Sequence, residues 1–306
     1  MPDNETDPIT AVSSDNRLGM GWMAFSVVTA AAMTMAVRGA SAELSSTLIV
    51  MQRAIGGLAL CMIAALLIPS LRARLQFTAW RLHVWRGSLI GVSTMMGFYT
   101  ITQIPLATAT VLFFSAPIFA TLLAIPIQGE RVGPRRLAAI ALGFGGVLIV
   151  VRPGTEAVSL AVFTALGSSF LFALALITSR RLTNADGPFA AYVSSAAMSI
   201  LVTAPFALPV WQVPETDWGW VALAMVVVFS LSRNIGDLQA YRYAEAAVLA
   251  PLAYTRLILI AAGAYVFFGE VPDVWTWIGG AVIVAAALYI AHRERQLRAS
   301  RRAPPA

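Results

Sequence analysis

The stretches GERVGPRRLAAIALGFGGVLIVVRPG (129–154) and APLAYTRLILIAAGAYVFFGEVPDVWTWIGGAVIVAAALYI (250–290) decide the fold. Each joins a Gly-Glu pair to a short polar turn and then an apolar run rich in Gly and Ala. Residues 104–152 and 244–292 align without a gap at an offset of 140, matching Ala107/Ala247, Leu112/Leu252, Ile118/Ile258, Ala124/Ala264, Gly129/Gly269, Glu130/Glu270, Ala141/Ala281 and Leu148/Leu288. Eight identities are few, but Gly-Glu falls at the same helix end in both copies, and the hydropathy follows it.

Working outward, a membrane helix needs ~20 mainly apolar residues. Ten such spans fit the chain, at 19–38, 45–68, 84–104, 106–128, 134–152, 157–179, 188–209, 218–240, 244–268 and 273–291. The break near Pro105 is forced, because 84–128 as one helix would be about 67 Å long, roughly twice the hydrocarbon core. The composition agrees: 58% of the 306 residues are hydrophobic and 12% charged, against about 25% charged in soluble domains. All 21 basic residues are Arg. With both termini cytoplasmic, sixteen Arg fall on the cytoplasmic side and two, Arg38 and Arg152, on the other. This asymmetry orients the chain. Trp218, Trp220, Trp275 and Trp277 at one boundary, and Trp80 and Trp85 at the other, read as interfacial belts. Residues 1–18 read as a disordered cytoplasmic tail and 292–306 as a basic one. The fold class is all-α integral membrane, with ten transmembrane helices. An offset of five spans turns the second half upside down relative to the first, and inverted repeats are a carrier architecture.

The two quoted stretches resemble the two EamA-type repeats of the drug/metabolite transporter superfamily, and the resemblance covers about residues 19–295. It divides the chain into a first repeat, 19–152, and a second, 157–291. It implies a central cavity formed by spans 1–4 and 6–9, with spans 5 and 10 packed at the side. Arg53 matches a recurrent Arg of the family, and YTRL (254–257) resembles a pattern of one prokaryotic branch. Family substrates include amino acids, vitamins, nucleotide-like metabolites and drugs, and family base rates favour export.

Three Arg lie within spans. Arg53, one turn before Gly56 and Gly57, is either an anion ligand, since guanidinium grips carboxylate or phosphate with paired hydrogen bonds, or a structural residue paired with backbone carbonyls or Glu43. Arg256 follows Tyr254 and Pro251 and is either cavity-facing or structurally paired. Arg233 and Asp237, four apart, share a helix face. Asp237 is either a coupling carboxylate, because Arg does not deprotonate in proteins, or an interfacial anchor. Tyr99, Gln103, Trp22 and Asn234 complete the substrate-binding candidates, with Ser26 and Thr29 beside Trp22.

No HExxH, paired CxxC or GxGxxG occurs, so no catalytic residue, metal site or cofactor is assigned, and no nucleotide drive within this chain. The basic clusters lie between apolar runs, which points to lipid rather than nucleic acid. The expectation is a secondary transporter in a bacterial inner membrane for a small metabolite with an anionic group, an amino acid fitting best. The alternatives are an integral membrane enzyme, disfavoured because neither His83 nor His292 has an acidic partner in its own segment, and a non-transporting sensor. The Gly/Ala-rich spans 5 and 10 offer packing surfaces or a homodimer contact.

Overall fold

A computed structural model describes residues 15–129, 133–153 and 159–302. In chain order the helices are α1 (Asn16–Ala40), α2 (Ser46–Leu67), the single turn α3 (Pro69–Arg72), α4 (Trp80–Gln103), α5 (Leu106–Phe113), α6 (Ala116–Gln128), α7 (Pro134–Val151), α8 (Leu160–Ala207), α9 (Asp217–Tyr243), α10 (Ala246–Tyr254), α11 (Arg256–Phe268) and α12 (Val274–Arg302). Local chemistry sets the ends. Asp15 takes the N–H groups of Arg17 and Leu18 at the start of α1, and Ser45 does the same for Leu48 at the start of α2. Gly129 (φ 66°) and Gly269 (φ 67°) close α6 and α11 in the left-handed conformation that glycine adopts without a Cβ penalty. The matched Gly-Glu pairs therefore begin in matched turns, although Glu130 itself lies outside the described residues.

Helix α4 begins four residues before the expected span and α9 ends three residues beyond it; three further differences have local causes or change the reading of a segment. Helix α1 begins three residues earlier because Asp15 caps it. Helix α12 runs on through the basic segment to Arg302, so the part of 292–306 that is described is helical. Residues 180–186 continue α8 as helix, and the chain turns at Gly187 (φ 81°, ψ 165°), where only glycine is unstrained, just before Pro188.

Among the described residues nine helices are long and apolar enough to cross a membrane. Helix α4 is equally long but falls short of that apolarity, because its first turns carry Arg81, His83 and Arg86. It still runs from one face of the bundle to the other. At its start, Thr78 and Ala79 meet Asp186 in the α8 turn; at its end, the Ile101 carbonyl meets Arg38 at the end of α1. The helices present apolar side chains outward, with Leu66 75%, Leu67 76% and Val266 71% exposed. Lipid is the solvent that makes such a surface stable.

The packing has a two-fold pattern. Helix α1 packs on α9, and its mate under exchange of halves, the first part of α8, packs on α4. Helices α7 and α12 are each other's mates and pack together, and α5 packs on α11, the second part of its mate span. The two halves lie in opposite senses, which makes this an all-helical membrane fold of two inverted repeats.

Glycines allow the closest approaches. A Cβ on Gly279 would sit 2.6 Å from the Gly146 carbonyl oxygen and 2.4 Å from Val150, whereas one on Gly145 meets open space. Gly146 and Gly279 are thus spent on the α7–α12 contact inside the chain, and Gly143 admits Ile118 of α6.

On the face away from the termini, Glu43 caps α9: it accepts the Thr216 hydroxyl and the N–H groups of Glu215 and Thr216. It does not pair with Arg53. The Thr216 hydroxyl, then the two backbone donors, hold the Glu43 carboxyl below its usual range.

Two outcomes follow from these contacts. Gly279→Val will lower the thermal midpoint of the purified protein, by the equivalent of about 1–3 kcal/mol of overpacking, while Gly145→Val leaves it nearly unchanged. Glu43→Gln will lower the midpoint at pH 7. Because the folded carboxyl titrates below the unfolded one, its contribution is fully present above about pH 4.3 and is lost as pH falls through the folded value. The gap between variant and wild type therefore closes on acidification.

Candidate functional site

The membrane-spanning pairs α5/α6 and α10/α11 are each one span interrupted near its middle. In both, the hydrogen bonding tightens from four residues to three: Ser115 N–H donates to the Leu112 carbonyl and Thr255 N–H to the Leu252 carbonyl, each at 3.1 Å. The hydroxyl of each also donates to that carbonyl, at 2.7 Å and 2.6 Å. These positions differ by 140, the repeat offset, whereas Pro117 and Pro251 do not. The hydroxyls, not the prolines, keep the breaks in register.

The residues just before the breaks, Phe114 and Tyr254, meet edge to face with ring centroids 4.9 Å apart. Two symmetry mates in contact mark the pseudo-two-fold axis. Arg256 opens α11 immediately after its break, and its guanidinium carbon lies 5.3 Å from the Phe114 ring centroid. On α2, the Arg53 guanidinium lies 5.5 Å from the Phe98 ring centroid. Gly57 admits the Tyr192 hydroxyl, which would be 2.7 Å from an added Cβ, and Gly56 admits Val227. The two glycines bring the second part of α8 and α9 close against Arg53.

Asp237 on α9 accepts the Ser26 hydroxyl at 2.5 Å and lies 3.7 Å from Arg233 Nε. Gly236 permits the Ser26 contact, since a Cβ there would fall 3.1 Å from the Ser26 backbone nitrogen. Arg256 lies within electrostatic reach of Arg233, Asp237, Tyr241 and Tyr254, and Arg53 within reach of Arg233 and Tyr192. Three guanidiniums and one carboxylate therefore share the middle of the bundle. Arg53 Nε and Arg256 Nε are buried without a hydrogen-bond partner. Tyr241 also lines a cavity of about 350 Å³ with Arg74, Pro188, Leu238, Gln239 and Arg242, near the face that holds the termini.

The opposite face is closed. Arg38 donates to the Ile101 carbonyl at 2.8 Å and to Glu270 at 2.5 Å, and the other Glu270 oxygen accepts the Leu106 N–H at 2.8 Å. One ion pair thus ties the ends of α1, α4 and α11 to the start of α5. Below it Val37, Leu44, Leu48, Ile49 and Leu106 are buried together.

The remaining sequence candidates have local settings. Tyr99 is half-buried next to Phe98, and its carbonyl takes the Thr102 hydroxyl. Gln103 is exposed at the end of α4 and donates to Thr102. Trp22 packs against Phe25 and the small cluster of Met23, Val27 and Ala240. Asn234 is exposed and donates to the Ser230 carbonyl at 2.7 Å. The structure brings together Arg53, Arg233, Asp237, Tyr254 and Arg256, and it adds Tyr192, Tyr241, Phe98 and Phe114. None of those four stands out in its own segment; only the L-x-x-[ST] step repeated at 112–115 and 252–255 hinted at the breaks.

His83 does have an acidic partner, 103 residues away. Its Nε2 is 3.0 Å from Asp186 and its Nδ1 2.7 Å from the Ser194 hydroxyl. The order Ser-His-Asp has the connectivity of a nucleophile triad. However, Asp186 is buried capping α4, through Thr78 and the Ala79 N–H, and the Ser194 hydroxyl donates to the Ala191 carbonyl. None of the three lines the 350 Å³ cavity. It is a clasp between α4 and the α8 turn. No cluster of three or more His, Cys, Asp or Glu fit to hold a metal occurs among the described residues.

Comparison with known proteins agrees with the fold. A solved chain superposes with a TM-score of 0.61 over 91% of this chain and 98% of that one, at 17% identity, so the two share a fold. The S-adenosylmethionine uptake transporter of Rickettsia prowazekii is 28% identical over 72% of this chain and 74% of its own. The riboflavin transporter of Vibrio cholerae is 27% identical over 72% and 74%. The pseudopaline exporter of Pseudomonas aeruginosa is 28% identical over 69% and 74%. These relatives are transporters, not enzymes. The EamA-like transporter profile matches residues 17–152 and again 159–291, and with both repeats matched the chain belongs to the EamA-like transporter family.

Proposed function

We propose that this chain carries a small organic metabolite with an anionic group, such as an amino acid, across a bacterial inner membrane by alternating access, with both termini cytoplasmic. The observation that carries the reading is the pair Arg53 and Arg256: neither makes a hydrogen bond to any described residue, and each rests against an aromatic ring. An Arg inside a span is costly unless something takes up its charge. Asp237 engages Arg233, which leaves the other two guanidiniums to the solute. Tyr192, Tyr241 and Tyr254 add hydroxyls and ring faces for the solute's remaining groups.

Arg74 and Arg242 at the cavity on the terminal face would draw an anion from the cytoplasm, and this supports export. The closed Arg38–Glu270 face supports the same reading, since a carrier holds one side shut while the other loads. The ion pair Arg233–Asp237, braced by Ser26, positions α1 against α9.

Flux into and out of proteoliposomes tests the proposal, using amino acids, S-adenosylmethionine and riboflavin as the solute panel. Losing a hydrogen bond to a charged group costs about 1.5–3 kcal/mol. Arg53→Gln and Arg256→Gln should each raise KM for the transported solute by roughly 10- to 150-fold. Unchanged KM in both variants overturns the anion site, and faster uptake than export at equal gradients overturns the direction.

A further inference from the structure

We infer that the transported solute carries two anionic groups, one for Arg53 and one for Arg256. The inference rests on the reading of this pair as the solute site and adds the number of charges it takes. A guanidinium has five N–H donors and no acceptor, so the two side chains present ten donors without one acceptor from the described residues. Buried Arg normally spends its donors on carboxylates or carbonyls. Arg38 and Arg86 in this chain do so: Arg38 binds Glu270 and the Ile101 carbonyl, and Arg86 binds Ser179, Ser195 and the Ala191 carbonyl.

The charges facing the site from α2, α9 and α11 are Arg53, Arg233, Asp237 and Arg256, with the tyrosines Tyr192, Tyr241 and Tyr254 around them. Asp237 neutralises one cation and two remain. The two lie on different repeats, Arg53 in the first and Arg256 in the second, against different rings, Phe98 and Phe114. A single carboxylate on Arg256 leaves Arg53 uncompensated, and the reverse holds equally. A solute with an anionic group at each end satisfies both and leaves the occluded site near neutrality, the state in which a carrier can cross its low-dielectric midpoint at least cost. The ring faces behind the guanidiniums hold the forks in place by cation–π contact, so their N–H edges are free to meet a carboxylate.

The test is thermal stabilisation of the purified full-length protein at constant ionic strength by succinate, glutarate and adipate, each against its own monomethyl ester. At least one diacid should stabilise the protein with a half-saturating concentration tenfold or more below that of its monoester. Arg53→Gln and Arg256→Gln should each bring diacid and monoester together, and Arg256→Lys, which keeps the charge, should retain the preference. Arg72→Gln, at the exposed end of α3, reports non-specific ionic effects and should leave the ratio unchanged. Equal half-saturation of diacid and monoester in the wild type, stabilisation by none of the six, or a preference that survives both Gln variants overturns the inference. Arg-dependent stabilisation by the monoesters alone removes the second charge but keeps the anion site. Stabilisation by N-acetyl amino-acid amides and other uncharged solutes alone removes both.

Discussion

A backbone carbonyl released inside a membrane has no water to turn to, and this constraint shapes the centre of the molecule. Breaking a span frees such groups, so a break persists only where a donor is at hand. Ser115 and Thr255 supply it, each returning its hydroxyl to the carbonyl three residues back. Ser169 adds a second donor to Leu112. With the carbonyls satisfied, the chain redirects at mid-depth in both repeats, and the side chains flanking the breaks meet on the pseudo-two-fold axis. The Phe114–Tyr254 contact and the placement of Arg256 follow from that single accommodation.

The three intramembrane guanidiniums answer to the same solvent in different ways. Arg233 is offset by a carboxylate one turn along its own helix. Arg53 and Arg256 are offset by quadrupoles, the ring faces of Phe98 and Phe114, which soften a positive charge without satisfying its donors. Since the chain has no Lys and an Arg keeps its proton, these charges cannot be neutralised by titration. The charge of the three guanidiniums is constant, and what varies is what meets them. The Arg38–Glu270 pair shows the contrasting arrangement, with both partners spent on backbone groups as well as on each other.

Much of this was legible in the sequence because it is periodic or local. Hydropathy marked the spans, and the repeated Gly-Glu pair marked two turns, both of which proved left-handed at the glycine. The four-residue spacing of Arg233 and Asp237 gave their shared face, and Gly56 and Gly57 gave a close helix contact. What stayed hidden depends on chain segments far apart in sequence. Tyr192 reaches Arg53 from another span, Ser26 reaches Asp237 across 211 residues, and Asp186 reaches His83 across 103. The breaks within α5/α6 and α10/α11 also stayed hidden, because serine and threonine are common in membrane helices and their back-bonding is invisible without coordinates. Gln103 and Asn234 are exposed and each bonds within its own helix, a local pairing that polarity alone did not reveal.

An inverted repeat gives two similar halves, yet any one state must treat the two faces differently. Here the difference is material. On the far face, Arg38 and Glu270 join the first repeat to the second over a buried apolar cluster, and Arg152–Asp273 adds a second bridge between repeats. On the terminal face, the contact between α1 and α9–α10 is a small cluster of Met23, Val27, Ala240, Ala244 and Leu249, with Gly19 against Ala244. The polar clasp on that face, Asp186 with His83 and Thr78, joins α4 to the α8 turn and leaves α1, α9 and α10 outside it. A solvent-reaching cavity lies beside Arg242 and Tyr241, and no cavity described touches Arg38 or Glu270. Ion pairs therefore hold α1 and the end of α7 to the second repeat on the far face, whereas on the terminal face that cluster of α1 with α9 and α10 is apolar and the clasp holds α4 to α8, so the contacts of α1 differ most between the two faces.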